Sequence, residues 1–368
     1  MTASTPLSVG EPAPWFSAAE GLNRSGGVLL DELAGRHIVL FFFGTAVRPD
    51  VVEALAWFSD RDDLFDDKRC LLLGISNDPD DFREGRLGQS SSGRRMLLDL
   101  GGVVTRQYLS APVAGKVQGG GRPIAFVLSP ALQIVDIVEL AESAAFVAQI
   151  ASVLNEQLAI SSVVSTAPAL VVPRVFDRSF CHQLIELYER AGGREIGSIE
   201  HGGQAVEQFD PRFRKRSDFY ISDEATVNRT RELLERRLLP MVNRAFQFRT
   251  TRIERYLVGC YDAATGGYFR PHRDNTAPVV AHRRFAVTIN LNDDYVGGNL
   301  RFPEFGYQAF QTEPGAAIVF SCSLLHEVTP VTESRRYAFL SFLYDEQAQQ
   351  MRDEHKRRWV EGQKAGNS

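Results

Sequence analysis

Tyr268-Phe-Arg-Pro-His272-Arg-Asp274-Asn275 is the stretch on which the reading of this chain turns. It sets an imidazole and a carboxylate two residues apart, a spacing that on a strand sends both side chains to one face. A second histidine, His326, follows in Ser323-Leu-Leu-His326-Glu-Val-Thr-Pro-Val331. Two imidazoles and one carboxylate form the donor set of a facial triad, which holds one side of Fe(II) and leaves the other open. The pattern contains no thiolate, the donor that would favour zinc or iron–sulfur chemistry. His272, Asp274 and His326 are therefore the expected metal ligands and catalytic centre. Oxygenase chemistry, with O2 taken at an open position of the metal, is the expected use.

The flanking sequence fits that expectation. His326 follows Gly315-Ala-Ala-Ile-Val-Phe-Ser-Cys-Ser323, an apolar run that reads as a buried strand. Arg336 opens a further strand, Arg336-Tyr-Ala-Phe-Leu-Ser-Phe-Leu-Tyr344. A guanidinium there can take a carboxylate in a bidentate pair. Metal plus arginine describes a site for a 2-oxoacid, chelated at one end and clamped at the other. Taken singly, each feature has a bland reading: a surface His-x-Asp, a structural histidine, a solvated arginine at a strand end. The order and spacing of all of them together carry the argument.

Residues from about 168 to 347 resemble the catalytic domain of the prolyl 4-hydroxylase-like Fe(II)/2-oxoglutarate dioxygenases. The matching pieces are Tyr256-Leu-Val-Gly-Cys-Tyr261, Gly267-Tyr268, His272-Arg-Asp274, Gly297-Gly-Asn-Leu-Arg-Phe-Pro303, His326-Glu-Val-Thr-Pro-Val331 and Arg336-Tyr-Ala338. The resemblance implies a double-stranded β-helix, or jelly roll, with flanking helices. It implies that His272, Asp274 and His326 bind Fe(II), that Arg336 binds the distal carboxylate of 2-oxoglutarate, and that Tyr261 hydrogen-bonds the same cosubstrate. Asn290, in the alternating series Ala286, Thr288, Asn290, is a weaker candidate for that pocket. Arg335 competes with Arg336, which is preferred for its spacing and the Tyr-Ala that follows. The presence of Asp274 favours hydroxylation over halogenation. The implied reaction hydroxylates a peptidyl or small-molecule substrate and releases succinate and CO2, with ascorbate as an auxiliary reductant. Segments 275–284 and 192–208 are expected to form a lid, with His201, Arg283 and Arg284 as candidate substrate contacts against the plainer reading of solvated surface.

The first half of the chain alternates strand and helix patterns. His37-Ile-Val-Leu-Phe-Phe-Phe43 and Cys70-Leu-Leu-Leu-Gly-Ile-Ser76 read as buried parallel strands. Pro49 fits the first turn of a helix to about Phe65, with Val51, Val52, Leu55 and Phe58 on one face. A hairpin over 123–138 and a helix over 141–158 follow. This order is α/β and resembles the thioredoxin-like fold of the peroxiredoxins, as do Val9-Gly-Glu-Pro-Ala-Pro-Trp-Phe16 and Gly121-Arg-Pro-Ile-Ala-Phe-Val-Leu128. The peroxidatic cysteine of that family is absent. Thr45 stands near its place, Arg48 lies three residues on, and Arg122 has no thiolate to support. Cys70, at the start of a strand, is a poor substitute. The expected role is therefore structural, with Trp15 and Trp57 packed in the core. A peroxidase acting through this half, and a non-catalytic iron and 2-oxoglutarate sensor, are the alternatives.

The expected organisation is a thioredoxin-like domain over 8–158, a linker over 159–173, a dioxygenase domain over 174–347 and a charged tail over 348–368. In the second domain a helix capped by Asp177 or Ser179 is expected to run to Glu189, and another over 225–246, split by Pro240. Hydrophobic residues make up 44 % of the 368 positions, enough for sizeable cores. A formal charge of −5 and a pI near 5.9 give no argument for a nucleic-acid or membrane partner. The basic stretches 212–216 and 356–358 read as solvated faces. No apolar run reaches the roughly 18 residues of a membrane span. Four scattered cysteines and the lack of a signal-peptide pattern point to a cytoplasmic protein. A homodimer through the thioredoxin-like half is expected by analogy alone.

Overall fold

Eight successive buried residues, His37–Gly44, leave strand β3 no solvent face, so it needs layers on both sides. The computed structural model supplies them; it describes residues 6–22, 27–87, 91–109, 122–160, 166–194, 199–201, 204–206, 212–306 and 308–366. The other strands of this sheet are β1 (Ser17–Glu20), β2 (Gly27–Leu29), β4 (Cys70–Ser76), β5 (Arg94–Leu98), β6 (Ile124–Leu128) and β7 (Ile134–Glu139). They form one mixed sheet in the order β2-β1-β5-β4-β3-β6-β7. β3 and β4 run parallel, β4 and β5 run parallel, and β6 and β7 form the hairpin. Phe41 packs on Phe43, Phe58 and Phe146 at centroid separations of 5.4, 5.7 and 5.2 Å, joining the sheet to its helices. Each such buried ring contributes on the order of 2–3 kcal/mol of transfer free energy.

The first helix covers Pro49–Ser59 and stops short of the expected Phe65. Asp60, Asp62 and Asp63 crowd its C-terminal end, where negative charge opposes the helix dipole. Its buried face is Val51, Ala54, Leu55 and Phe58; Val52 points outward and is half exposed. Trp57 packs partly against the core, whereas Trp15 is 51 % exposed and not a core residue. The closing helix spans Ser143–Ile160.

The turn after β3 is held by carboxylates. Asp81, fully buried, accepts from the Ala46 amide at 2.9 Å and the Ser76 hydroxyl at 2.7 Å, and pairs with Arg86 at 3.0 Å. Thr45 Oγ1 donates to Asp78 at 2.9 Å, and Arg48 pairs with Asp50 at 2.7 Å. Two carboxylates beside this turn make it hostile to a thiolate. Arg122 is exposed. The four cysteines are free and buried. Burial pushes the Cys70 and Cys322 thiols far above their usual range, that of Cys181 to about 12 and that of Cys260 to about 11. Limiting peroxide is expected to leave all four unmodified by mass spectrometry; a sulfenic acid on Cys70 would revive a peroxidase role.

The chain divides into two compact units, Met1–Ser165 with Pro303–Gly306, and Thr166–Phe302 with Tyr307–Ser368. In the second unit, part of the stretch read as linker is strand β8 (Ala169–Val172). A two-stranded ribbon, β9 (Ile199–His201) and β10 (Gln204–Val206), follows. The remaining strands are β11 (Arg214–Lys215), β12 (Ser217–Tyr220), β13 (Arg252–Asp262), β14 (Tyr268–His272), β15 (Phe285–Asn290), β16 (Val296–Gly297), β17 (Leu300–Arg301), β18 (Ala309–Phe310), β19 (Ala317–Ser321), β20 (His326–Val328), β21 (Val331–Glu333) and β22 (Arg335–Tyr344). They build two antiparallel sheets, β12-β13-β22-β15-β19-β8 and β11-β14-β20-β17-β18, with β16 and β21 paired separately. Inner-face contacts join the two sheets: Tyr261 clusters with Phe269 and Val328, and Phe320 packs on Phe302 at 5.0 Å. This is the jelly-roll architecture.

Helices cover the outer face of the larger sheet. Arg178–Ala191 is capped by Asp177, whose carboxylate accepts from the Phe180 amide at 2.9 Å. Its Phe180, Cys181, Leu184 and Tyr188 share a core with Val258, Val287 and Phe339. The expected helix over 225–246 is α-helical over Glu224–Leu233, passes through a π turn at Leu234–Leu238, and resumes over Leu239–Phe246. Pro240 lacks an amide hydrogen, and the wider turn before it absorbs the missing bond. The tail is a helix from Glu346 to Gly366 with Lys356, Arg357 and Arg358 exposed. Among the described residues no helix is long and apolar enough to cross a membrane.

Candidate metal centre

His272 and His326 are direct partners across the antiparallel pair β14–β20. Residues opposite one another in such a pair present their side chains on the same face. The two imidazole centroids are 4.2 Å apart. Asp274 reaches the same point by another route. It lies in a bend beyond the end of β14, and not on the strand as the i, i+2 argument assumed. Its amide donates to the Cys322 carbonyl at 2.9 Å, while the intervening Arg273 turns away to donate to the Ser323 carbonyl. The Asp274 carboxylate ends 3.6 Å from His272 Nε2 and 3.3 Å from His326 Nε2. One donor atom from each of the three falls within 4.8 Å of the others.

The outer hydrogen bonds select the tautomers. His272 Nδ1 faces the Arg270 carbonyl at 2.7 Å, and His326 Nδ1 faces the Leu324 carbonyl at 3.0 Å. A carbonyl only accepts, so each Nδ1 carries a proton, and Nε2, the nitrogen beside the carboxylate, is the one turned to where a metal would sit. Burial, and then the neighbouring His272, lower His326 to about 4, so it is neutral at physiological pH. Burial works against charge on Asp274, yet His326 and His272 outweigh it and hold its carboxyl well below the usual range. Phe269 stacks on His272 at 3.5 Å, and Phe320 lies 4.7 Å from His326, so apolar rings back both ligands. This donor set fits Fe(II).

A second group of polar side chains lies on the inner face of the larger sheet. Tyr261 is the cross-strand partner of Arg336, and Asn290 is the partner of Ala338, two residues further along β22. The Arg336 guanidinium is buried and donates to Asn290 Oδ1 at 2.9 and 3.2 Å and to Thr288 Oγ1 at 3.4 Å. It lies 5.4 Å from the Tyr261 ring. Among the described residues it has no carboxylate partner. Arg335, by contrast, is half exposed and committed to Asp262 at 2.8 Å and Glu189 at 3.5 Å. Gly298 has φ +61°, and a Cβ there would stand 2.9 Å from Arg336 Cδ, so this turn needs glycine to let the arginine pass.

Two expectations about surface residues fail. Arg283 is no free substrate contact: it is buried and donates to Glu254 at 2.8 and 3.2 Å, while His282 Nε2 lies 2.7 Å from the same carboxylate. Arg284 faces the Met351 sulfur at 3.3 Å. The basic stretch 212–216 is not simply a solvated face either. Arg216 is buried and binds Asp218 at 2.6 and 2.9 Å, with Nη1 reaching the Tyr261 hydroxyl at 3.4 Å. No local period marks this: Arg216 falls between β11 and β12, and Tyr220, next in the same alternation, is 43 % exposed. The side chain of His201, and much of the 192–208 segment, lie outside the described residues.

The Glu254 network makes a measurable contribution. Burial opposes the charge, but His282 and Arg283 hold the carboxyl far below its ordinary 4.5. Its stabilisation is therefore complete above about pH 4.5 and is lost as pH falls through the lower folded value. Glu254→Gln is expected to destabilise this domain by about 3 kcal/mol at neutral pH, since it strands the buried Arg283. Denaturant melts of the two proteins should converge in acid; a constant gap would show that charge is not the cause.

Comparisons with known proteins agree with the two halves. Residues 256–344 match the model of the 2OG-Fe(II) oxygenase superfamily, and residues 9–137 match that of the AhpC/TSA family. A PKHD-type hydroxylase of Synechococcus sp. (strain JA-2-3B'a(2-13)) is 34 % identical over 119 residues, 30 % of this chain and 50 % of that protein. One from Shewanella sp. (strain MR-7) is 32 % identical over 157 residues, 39 % of this chain and 65 % of that protein. The chain thus spans about half to two thirds of these curated relatives. A Pseudomonas putida prolyl-4-hydroxylase structure is similar at TM-score 0.39 and 16 % identity, covering 50 % of this chain and 97 % of that one. The chain therefore joins an N-terminal domain of AhpC/TSA, peroxiredoxin-like type to a C-terminal domain of the 2OG-Fe(II) oxygenase superfamily.

Proposed function

We propose that the C-terminal domain is an Fe(II)- and 2-oxoglutarate-dependent hydroxylase of prolyl 4-hydroxylase type, acting on a peptidyl or small-molecule substrate. The observation that carries this reading is the pairing of the His272–Asp274–His326 cluster with a buried Arg336 that has no carboxylate partner among the described residues, in the same jelly roll. Fe(II) held with 2-oxoglutarate supplies the dioxygen chemistry that releases succinate and CO2 and hydroxylates a C–H bond. The protein's own part is coordination, orientation and exclusion of water. His272 and His326 offer Nε2 donors, and Asp274 offers the negative charge that offsets a dication. Arg336, held in one orientation by Asn290 and Thr288, receives the distal carboxylate as a charge-assisted pair. Tyr261 is placed beside it, with its hydroxyl oriented by Arg216. Phe269, Phe302 and Phe320 keep the ligand side apolar.

The test is succinate formation by anaerobically purified full-length protein given Fe(II), ascorbate and 2-oxoglutarate, then air. Succinate above that of His272→Ala is the expected result. Its absence both alone and with a pool of proline-rich peptides and cell extract would sink the hydroxylase reading.

A further inference from the structure

The inner face of the jelly roll carries more positive charge than its own acids neutralise. Four guanidiniums, Arg214, Arg216, Arg255 and Arg283, share two carboxylates, Asp218 and Glu254. The sharing is unequal. Arg216 takes Asp218 in a bidentate pair at 2.6 and 2.9 Å, which leaves Arg214 at 3.9 Å from the same group. Arg283 and His282 take Glu254 at 2.8 and 2.7 Å, which leaves Arg255 at 3.6 Å. Among the described residues neither Arg214 nor Arg255 makes a side-chain hydrogen bond. Their side chains are only 15 % and 27 % exposed. A guanidinium so placed has lost most of its water and gained no full partner, an arrangement that costs free energy unless an anion completes it.

Both point toward the interior. Arg214 on β11 is the cross-strand partner of Phe269 on β14, so the two share a face. The Arg214 guanidinium lies 5.4 Å from the Phe269 ring, and that ring stacks on His272 at 3.5 Å. Arg255 sits in the β-bulge of β13 with φ +68°, a left-handed conformation that a non-glycine residue adopts at a cost. Its guanidinium lies 5.6 Å from the ring of Phe342. Phe342 pairs with Ala286, on the same face of β15 as Thr288 and Asn290. Each of the two cations is further depressed by burial and by a like-charged neighbour, Arg214 by Arg216 and Arg255 by Arg283.

We propose that the prime substrate of this site carries an acidic group, a carboxylate or a phosphate, received by Arg214 and Arg255. The inference rests on the hydroxylase reading only for the word substrate, because Arg336 is already assigned to 2-oxoglutarate. Two half-satisfied arginines, one of them packed on the ring that stacks on His272, then select an anionic molecule over its neutral isostere.

The probe is inorganic phosphate, with acetate in parallel and chloride of equal ionic strength as baseline. In the first arm, the melting temperature of metal-free full-length protein is measured. Phosphate or acetate should raise it by about 2 °C or more over chloride. Arg214→Gln and Arg255→Gln should each remove the rise, and Arg335→Gln, an exposed control, should keep it. The anion with the larger shift names the acidic group. In the second arm, protein loaded with Mn(II) and 2-oxoglutarate is followed by 31P relaxation of phosphate. Relaxation enhancement lost in Arg214→Gln would place the anion beside the metal. No rise over chloride, or a rise that survives both substitutions, overturns the proposal. A rise of the expected kind with no binding of Mn(II) would instead overturn the metal reading and leave the anion site standing.

Discussion

Asp274→Ala is expected to abolish 2-oxoglutarate turnover and to weaken divalent-metal binding by at least about 100-fold, beyond what loss of an outer-shell partner costs. Asp274 is the only anionic member of the cluster, 3.6 and 3.3 Å from the two Nε2 atoms. Without it, only two imidazoles face the ion, and the charge that offsets the dication is gone. Turnover should fall more than about 1000-fold, because the open site also loses its geometry. The fold should survive, since the jelly-roll strands are held by pairings that do not involve this side chain. Metal titration of the purified variant, alongside its succinate yield, checks the expectation. Wild-type metal affinity in Asp274→Ala would remove Asp274 from the ligand set.

Arg336→Ala should raise the concentration of 2-oxoglutarate needed for half-maximal turnover by about 100-fold, equivalent to the loss of a buried charge-assisted pair worth about 2–3 kcal/mol. The maximal rate should change much less, because the metal ligands remain in place. Arg336→Lys should fall between, since an ammonium retains the charge but not the two-pronged geometry. Arg335→Ala should leave the requirement unchanged, its guanidinium being turned to Asp262 and Glu189. Saturation curves for the three variants decide between neighbouring residues that spacing alone separated weakly. An effect in Arg335→Ala matching that of Arg336→Ala would reverse the assignment.

The individual elements of both halves were legible in the chain because their periods are local properties. Six large apolar residues in a row over Ile38–Phe43 fit a strand covered on both faces, and Asp177 followed by an amphipathic run marks the opening of a helix. The candidate donors were legible for the same reason: imidazole and carboxylate chemistry belongs to His272, Asp274 and His326 wherever they sit. Misreadings came where one-dimensional pattern was asked to report burial. A run of arginines at 212–216 has the composition of a solvated face, yet Arg216, at the link between β11 and β12, is 7 % exposed because it turns inward to pair with Asp218. Arg283, just ahead of β15, is likewise buried against Glu254, a partner 29 residues earlier in the chain.

What the sequence by itself determined is the inventory: which groups can bind a metal, which cations can clamp a carboxylate, and that the turn after β3, around Thr45, has no cysteine. What only the tertiary structure decided is convergence and commitment. β14 and β20 bring His272 opposite His326 across more than fifty residues of chain, and a bend beyond the strand, not the strand, delivers Asp274. Arg335 and Arg336 are chemically identical; the alternation of β22 sends one to solvent-side acids and the other inward to Asn290. The reason is physical: a side chain's chemistry is covalent and local, whereas its partners and its loss of water depend on which distant strands pair beside it.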